Sequence, residues 1–323
     1  MLNRTLNVLS LFDGIACGLI ALQRCRIYNI NYYASEIDPA ALIVAKMRNP
    51  NIIHVGNVIK LKPEDFKHID LIIGGSPCQS MSKMGKGQGI TTKDGTVIKT
   101  LKQYMVIKNR TEKRGLRWED VFNTSALYWE FVRLYEGIKV YNPKLLFLLE
   151  NVSNKKWETI INNSIGRKPV FINSSYFSAQ NRERNYWTNL PCTTPIIDKG
   201  ITIQDVIPEA FIAAGIRGRK INPDDKKYTQ CLTFRKDMKS NCVVTTPHMT
   251  NKYISYDAEL CTITPEHAEV LQTIDPGYTD VPGITRTQRY AMIGNAWTID
   301  VITIFFENIP LALHVSHEDR VKF

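Results

Sequence analysis

Cys78 carries the side chain of this sequence that is best placed to act as a nucleophile. It follows residues 70–77, Asp-Leu-Ile-Ile-Gly-Gly-Ser-Pro, whose apolar start predicts a buried strand. The two glycines allow the backbone to turn or to approach a ligand closely, and Pro77 keeps the preceding residue out of the helical region. A thiol at the carboxyl end of a strand stands where open α/β sheets bind ligands. A buried structural cysteine is the alternative for this segment alone.

One carboxylate and two guanidinium groups accompany later strands. Residues 144–149 form a predicted fifth buried strand that ends in Glu150, which can therefore face the same crevice as Cys78. Beside a thiol, a proton-donating role is the preferred interpretation of this glutamate, and an N-cap or an ion-pair partner is the alternative. Arg182 and Arg184 stand two apart, so on an extended chain they point to one face and can grip a phosphate or a base carbonyl. A structural ion pair is the other possibility for the two arginines.

The first 60 residues have the pattern of a nucleotide-binding βαβ unit. A strand over 6–12 leads into a turn with two glycines at 13–18 and then into a helix, but Gly-x-Gly-x-x-Gly is missing, so a dinucleotide is not specifically indicated. Glu36 ends the second strand, where it can accept hydrogen bonds from ribose hydroxyls. It can instead be an N-terminal helix charge, because Pro39 can open the next helix. Asn57 leaves the third strand and can bind an adenine edge or cap the turn.

The charge of the chain favours an anionic partner. Formal net charge is +10, and ten basic and two acidic residues lie between Lys83 and Arg117. This glycine-dotted stretch predicts a basic catalytic loop over about 79–117 that is poorly ordered until it closes over a polyanion. A solvated loop is the alternative interpretation for most of its lysines.

The seven cysteines form no Cys-x-x-Cys pair, and no His/Cys cluster has zinc spacing, so we expect no metal and a reducing, cytoplasmic location. Asp13 interrupts the first apolar run, so a signal peptide is not expected. The apolar segment 299–315 contains charged residues and a proline, and therefore predicts a buried helix rather than a membrane span.

Three segments are expected along the chain. Residues 1–190 have the strand–helix rhythm of a catalytic domain, and residues 191–240 lose it, with prolines, glycines and mixed charge that indicate a small separate lobe. Residues 241–323 are expected to return to the catalytic domain. The basic residues of the middle segment make it a candidate surface for reading DNA.

Taken together and in this order, these segments resemble the DNA (cytosine-5)-methyltransferase family. The resemblance covers residues 6 to about 309 and rests on Leu-Phe-Asp-Gly at 11–14, Gly-Gly-Ser-Pro-Cys-Gln at 74–79, Glu-Asn-Val at 150–152, Gln-x-Arg-x-Arg at 180–184 and Gly-Asn at 294–295. The short middle lobe, residues 184–191 and Trp297 look more like the vertebrate de novo methyltransferase branch than like restriction-type enzymes.

The resemblance implies an α/β fold with a doubly wound, mainly parallel seven-stranded sheet and a small target-recognition domain. It also implies S-adenosylmethionine as methyl donor and double-stranded DNA as partner. By motif match, the residues expected to line the cofactor site are Phe12, Asp13, Gly14, Gly18, Glu36, Ile37, Asn57, Pro77, Asn295 and Trp297. Asn57 departs from the aspartate that is often found in this family, which removes a charge near the adenine.

The implied reaction is transfer of a methyl group to C5 of a flipped-out cytosine. Cys78 would add to C6, Glu150 would hydrogen-bond or protonate N3, and Arg182 and Arg184 would hold the O2 side and a neighbouring phosphate. A methyltransferase acting on cytosine in RNA and a catalytically silent DNA-binding protein are the alternatives. The sequence leaves open the target site, the oligomeric state and the biological role, whether with a restriction nuclease, in self-protection or in regulation.

Overall fold

A computed structural model of the chain describes residues 4–77, 89–208 and 263–314, together with the backbone of short strands between 209 and 262. Its centre is a seven-stranded sheet. The strands are β1 Leu6–Leu11, β2 Ile30–Ser35, β3 Ile53–His54, β4 Leu71–Gly75, β5 Leu146–Val152, β6 Val170–Asn173 and β8 Glu183–Thr188, and the two-residue β7 Gln180–Asn181 lies outside this sheet.

The strand order is β3-β2-β1-β4-β5-β8-β6. The first five of these strands pair in parallel, and β8 runs antiparallel to both of its neighbours. The chain therefore moves outward from β1 through β2 to β3 and restarts on the other side with β4. The crevice beyond the carboxyl ends of β1 and β4 is the switch point at which doubly wound sheets bind ligands. The predicted doubly wound, mainly parallel seven-stranded sheet is confirmed.

Helices cover both faces of the sheet. The α-helices are α1 Cys17–Arg24, α2 Pro39–Arg48, α3 Leu101–Lys113, α4 Trp118–Val121, α5 Tyr128–Tyr141, α6 Lys155–Ile165, α7 Ile203–Val206, α8 Pro265–Leu271, α9 Arg286–Asn295, α10 Ile299–Phe306 and α11 Ile309–His314. Short 3₁₀ helices span Val58–Lys60, Pro63–Phe66, Thr124–Leu127 and Ser174–Tyr176.

The core has two layers, one on each face of the sheet. Along β4, Leu71 and Ile73 contribute to the cluster that contains Phe305 of α10, while Ile72 contributes to the opposite cluster with Trp129 of α5. This alternation is the consequence of the two-residue period of a strand, and both faces are apolar because both are covered. The apolar segment from residue 299 is largely buried, as predicted, but it forms two helices, α10 and α11, instead of the single helix expected. Within the described residues, no helix has the length and apolar character needed to cross a membrane.

The segment from residue 89 onward differs from the predicted basic loop. It contains a turn held by a bridge between Thr91 and Val97, and then the 13-residue helix α3. The helix buries Tyr104, Lys108 and Thr111, which lie on one face at a helical spacing but are not an apolar stripe. Residues 78–88 of the predicted loop lie outside the described residues.

Most of the predicted target-recognition domain also lies outside the described residues. The backbone shows β9 Ala210–Ile212, β11 Cys242–Thr245 and β14 Leu260–Thr262 paired antiparallel in a separate three-stranded sheet. Two further pairs join β10 Thr229–Gln230 to β7, and β12 Met249–Thr250 to β13 Tyr253–Ile254. The three expected segment boundaries stay predictions.

Candidate functional site

A cleft of about 560 Å³ opens at the carboxyl ends of the central strands. Every predicted site residue that the structure describes lines it. These residues are Phe12, Asp13, Gly14, Gly18, Glu36, Ile37, Asn57, Pro77, Glu150, Arg182, Arg184, Asn295 and Trp297. Cys78 lies outside the described residues, and it directly follows Pro77 in the chain.

The loop after β1 is held in an uncommon backbone conformation at the floor of the cleft. Phe12, Gly14 and Ala16 have φ angles of 57°, 60° and 66°. Left-handed backbone is rare at residues other than glycine, and such strain concentrates at binding sites. Gly18, at the start of α1, packs so closely that an added Cβ would lie 2.3 Å from a side-chain atom of Ile73. The loop is therefore fixed against the sheet rather than free to adapt.

Glu36 is fastened to this loop by three backbone donors. Its Oε2 accepts from the Gly14 N–H at 2.8 Å, and its Oε1 accepts from the N–H groups of Ile37 and Asp38 at 2.6 and 2.8 Å. Asp38, not Glu36, caps α2, since its side chain accepts from the Ala40 N–H. A carboxylate has about four lone-pair sites, so Glu36 keeps capacity for one more donor.

Asp13 is a buried carboxyl group that is only partly satisfied. Its Oδ1 accepts a 2.6 Å hydrogen bond from the Tyr32 hydroxyl, whereas its Oδ2 is buried with no hydrogen-bond partner. Burial raises the pKa of Asp13 to about 7; hydrogen bonds from Ser10 and Tyr32 oppose the rise, and the charge of Glu36 adds to it. An unpaired acceptor at the edge of a cleft is a position at which a ligand donor can be recognised.

Asn57 takes the capping role that the sequence left open. Its side-chain oxygen accepts from the Ile59 N–H at 3.0 Å and begins the 3₁₀ helix Val58–Lys60. It also lines the cleft, so the cap places it just beyond the end of β3, beside Ile59.

Glu150 stands at the other end of the cleft. Its Oε1 lies 2.8 Å from Nε of Arg184, and its Oε2 accepts from the Trp297 indole N–H at 3.1 Å. An added Cβ at Gly75 would lie 2.8 Å from that Oε2 and 2.8 Å from the indole nitrogen. The lack of a side chain at Gly75 therefore lets Glu150 and Trp297 pack against β4, and Gly75 does not form a turn. The adjacent Asn151 donates to the Ser76 side chain at 3.0 Å and so ties the exit of β4 to β5.

Arg182 has a different set of partners from Arg184. Its guanidinium is buried and donates to the carbonyl groups of Gly294 and Ala296 at 3.2 and 3.0 Å. These residues flank Asn295 at the end of α9, so Arg182 holds the segment that brings Asn295 and Trp297 into the cleft. The sequence-predicted possibility of an ion pair is realised at Arg184, with Glu150 as partner.

Comparison with known proteins covers the first part of this arrangement. Residues 6–108 match the sequence model of the family described as C-5 cytosine-specific DNA methylase.

The chain carries a C-5 cytosine-specific DNA methylase domain.

The chain is similar to several bacterial enzymes. It is 35% identical over 96 residues to the type II methyltransferase M.NlaIV of Neisseria lactamica, an alignment that covers 29% of this chain and 22% of that protein. It is 24% identical over 352 residues to the type II methyltransferase M1.ScrFI of Lactococcus lactis subsp. cremoris, covering 96% and 79%. The chain thus spans about a fifth of the length of M.NlaIV and four fifths of M1.ScrFI in these alignments.

Solved structures share the fold. Entamoeba histolytica methyltransferase EhMeth superposes with a TM-score of 0.65 at 16% identity, covering 97% of this chain and 100% of that one. S. pombe Dnmt2 methyltransferase superposes with a TM-score of 0.57 at 15% identity, covering 96% and 100%. The suggested likeness to the vertebrate de novo branch stays a prediction.

Sequence reasoning missed one wall of the cleft. It is built by the segment between β4 and α5 and includes Lys93, Trp118, Glu119, Phe122, Asn123, Thr124 and Leu127. No motif marks these residues, and only Lys93 lies within the basic loop predicted over about 79–117. The pairing of aromatic residues four apart, Trp118 and Phe122, is the one signal that could have indicated a packed helix.

Proposed function

We propose that this protein is a DNA (cytosine-5)-methyltransferase that uses S-adenosylmethionine and forms a covalent bond between Cys78 and C6 of an extruded cytosine. The observation that carries the proposal is the convergence of two sites in one cleft. Glu150 and Arg184 lie beside the strand that leads to Cys78, and the same cleft contains the buried carboxyl of Asp13 and the loop-bound carboxylate of Glu36.

The residues of the cleft fit a methyl donor of this kind. Glu36 follows the end of β2 and has acceptor capacity for a ribose hydroxyl. The unpartnered Oδ2 of Asp13 can accept from the ammonium group of the donor's amino-acid part. Gly14 has open space around its Cα, so a ligand can approach the backbone there. The family and the fold imply S-adenosylmethionine, and its sulfonium supplies an electrophilic methyl group.

The thiol is the nucleophile of the proposed reaction. C5 of cytosine is not nucleophilic enough to take a methyl group unaided, because its π electrons are delocalised through the ring. When the Cys78 thiolate adds to C6, a carbon–sulfur bond forms and C5 becomes the nucleophilic carbon of an enamine. Free cysteine is only a few per cent thiolate at neutral pH, but it is intrinsically a strong nucleophile. After methyl transfer, loss of the C5 proton and of the thiolate restores the ring.

Glu150 and Arg184 are the groups proposed to act on the pyrimidine edge. Arg184 and Trp297 hold the two oxygens of Glu150, so the carboxyl group is oriented toward the cleft before a base arrives. In that position Glu150 can hydrogen-bond or protonate N3 and draw electrons from the ring as Cys78 adds. Arg184 can then bind the O2 side of the base.

Arg182 has a positioning role in this proposal. Because its guanidinium is bound to the carbonyl groups around Asn295, it fixes the segment that completes the cleft and does not need to touch the base. The sequence-based assignment of Arg182 to the base or a phosphate stays a prediction, and the two carbonyl contacts favour the positioning role.

Transfer of tritium from S-[methyl-³H]adenosylmethionine to cytosine-containing duplex DNA tests the proposal. Cys78→Ala should abolish transfer, whereas Cys192→Ala, at a half-buried free cysteine outside the cleft, should retain it. Equal transfer in both variants would remove Cys78 from the mechanism. Transfer to tRNA but not to duplex DNA would replace the DNA substrate with RNA, and binding of the donor without transfer to either would indicate a silent binding protein.

A further inference from the structure

The described part of the segment before α5, residues 89–127, is fastened to one particular edge of the cleft. Lys108 of α3 donates to the backbone carbonyl of Ile59 at 3.2 Å and to the buried carboxylate of Glu130 at 2.7 Å. Ile59 lines the cleft next to Asn57, just beyond the end of β3. Because both partners of Lys108 are buried or part of the cleft wall, this lysine docks the segment on the β3 side and not at the end that contains Glu150 and Arg184.

Trp118 is the aromatic residue that this segment presents to the cleft. Its indole N–H donates to the Tyr104 hydroxyl at 2.9 Å, and Tyr104 in turn donates to Glu130. Its ring lies nearly parallel to that of Phe122, with centroids 5.0 Å apart and an angle of 18° between planes. Two independent contacts therefore hold the indole, and part of its surface stays exposed.

A fixed aromatic ring at this edge has the properties of a stacking platform. Trp118 is half-buried and lines the cleft, so the part of its indole that does not pack on Phe122 can receive a third ring. A held side chain also loses little further entropy on binding. In the proposed function Glu36 binds a ribose at the end of β2, and the strand next to β2 at this edge of the sheet is β3. A nucleobase attached to that ribose would therefore extend toward Trp118.

We propose that Trp118 stacks on the nucleobase of the methyl donor and sets the preference of the site for a nucleoside-containing donor. This inference rests on the proposed function, because it takes the ribose position from Glu36 and the donor class from the methylase domain. It assigns a role to a segment that the motif pattern left without one. Ile37, which is 65% exposed just beyond the end of β2, can contribute an aliphatic contact to the same base.

Isothermal titration with S-adenosylhomocysteine and with adenosine tests the proposal. Trp118→Leu keeps an apolar side chain but removes the aromatic face, and should raise the Kd of both ligands roughly tenfold or more. Trp118→Phe should stay within about threefold of the wild type. Leu116→Ala, at an exposed position of the same segment, is the matched control and should bind as the wild type does. In methyl transfer, Trp118→Leu should raise the KM for the donor about tenfold and change kcat less than about twofold.

The outcomes separate this proposal from the function on which it rests. If the wild type binds S-adenosylhomocysteine and Trp118→Leu binds it equally well, the stacking role is wrong and the proposed function stands. If the wild type binds neither ligand, the donor assignment and the stacking role fall together. A loss for S-adenosylhomocysteine without a loss for adenosine would place Trp118 away from the base and also overturn the inference. Thermal unfolding of each variant confirms that the affinities refer to folded protein.

Discussion

Replacing Asp13 by asparagine should make the protein more stable and weaken its binding of the methyl donor. Asp13 is buried, one of its oxygens is unpartnered, and its pKa is about 7 against a usual value of 3.8. At 1.36 kcal/mol per unit of pKa, ionising this group in the folded protein costs up to about 4 kcal/mol more than in the unfolded chain. An asparagine side chain at this position would have nearly the same shape and no charge to desolvate.

The sign of the effect follows from proton binding. Between pH 3.8 and about 7, the folded protein holds a proton on Asp13 that the unfolded chain has lost. Stability therefore falls as pH rises through this window and levels off above it. Asparagine does not titrate, so the free energy of unfolding of the Asp13→Asn variant should not fall in this way. Its excess over the wild-type free energy of unfolding should therefore grow by about 3 kcal/mol between pH 5 and pH 8. Full relaxation around the charge would reduce the figure but not reverse its sign.

Urea unfolding at pH 5 and pH 8 measures this difference. Asp198→Asn, at an exposed carboxylate outside the cleft, is the control. An Asp13→Asn advantage that is the same at both pH values would refute the reasoning, because a pH-independent gain would mean that the carboxyl is not held protonated by burial.

Ligand affinity should move in the opposite direction to stability. Only ionised Asp13 can pair with the ammonium group of S-adenosylhomocysteine, so wild-type affinity should fall as pH drops below about 7. Asp13→Asn should bind several-fold more weakly at pH 8 and show a flatter pH dependence in the same range. Identical pH profiles for the two proteins would separate Asp13 from the ammonium site.

Three further predictions, made with four substitutions, test other parts of the structure. Glu150→Gln should lower kcat about 100-fold or more, because the carboxyl is proposed to act on the base. Methyl transfer measures this loss, and titration should show a Kd for S-adenosylhomocysteine within about twofold of the wild type. Loss of binding instead of turnover would contradict the assignment. Gly75→Ala should chiefly lower kcat and change the urea midpoint little, because the new methyl group meets the side chains of Glu150 and Trp297. Gly74→Ala should chiefly lower the urea midpoint, because its methyl group meets the Leu11 backbone. The reverse pattern would contradict the assignment. Glu130→Gln should destabilise the fold by about 3 kcal/mol in urea, because Lys108 and Arg133 lose their shared buried partner, and a change below about 1 kcal/mol would show that the pairs are not coupled to folding.

The sheet could be predicted because its signals are local. The apolar run in β4, the carboxylate at the end of β5 and the glycine turn after β1 each lie within about ten residues of sequence. Parallel strands bring their carboxyl ends to one edge, so Glu36 and Glu150 could be placed near one crevice without knowing any long-range contact. For Glu36 and Asn57 the sequence leaves open a ligand contact and a role at a helix or turn, because both roles require the same side-chain chemistry.

Helix α3 could not be predicted because the face that it buries is polar. Helix α3 packs through Tyr104, Lys108 and Thr111. Tyr104 and Lys108 both bind Glu130, and Lys108 also binds the Ile59 carbonyl. Thr111 forms its hydrogen bond within the helix. A pattern search counts lysine as solvent-exposed, so the buried ion pair made the helix look like part of a basic loop.

The partners of Arg182 were hidden for a related reason. Its guanidinium binds carbonyl groups 112 and 114 residues away, and backbone oxygens have no residue type that a sequence pattern can detect. The same holds for Trp118, whose position depends on Tyr104 and Phe122 packing in three dimensions.

The long reach from Arg182 to the end of α9 has a consequence during protein synthesis. Strands β1 to β8 can pair as soon as residue 188 has left the ribosome, but Asn295 and Trp297 are still to be made at that time. A nascent chain can thus fold the sheet and yet lack one wall of its cleft. The order of translation therefore delays completion of the cleft until the residues around 297 have emerged.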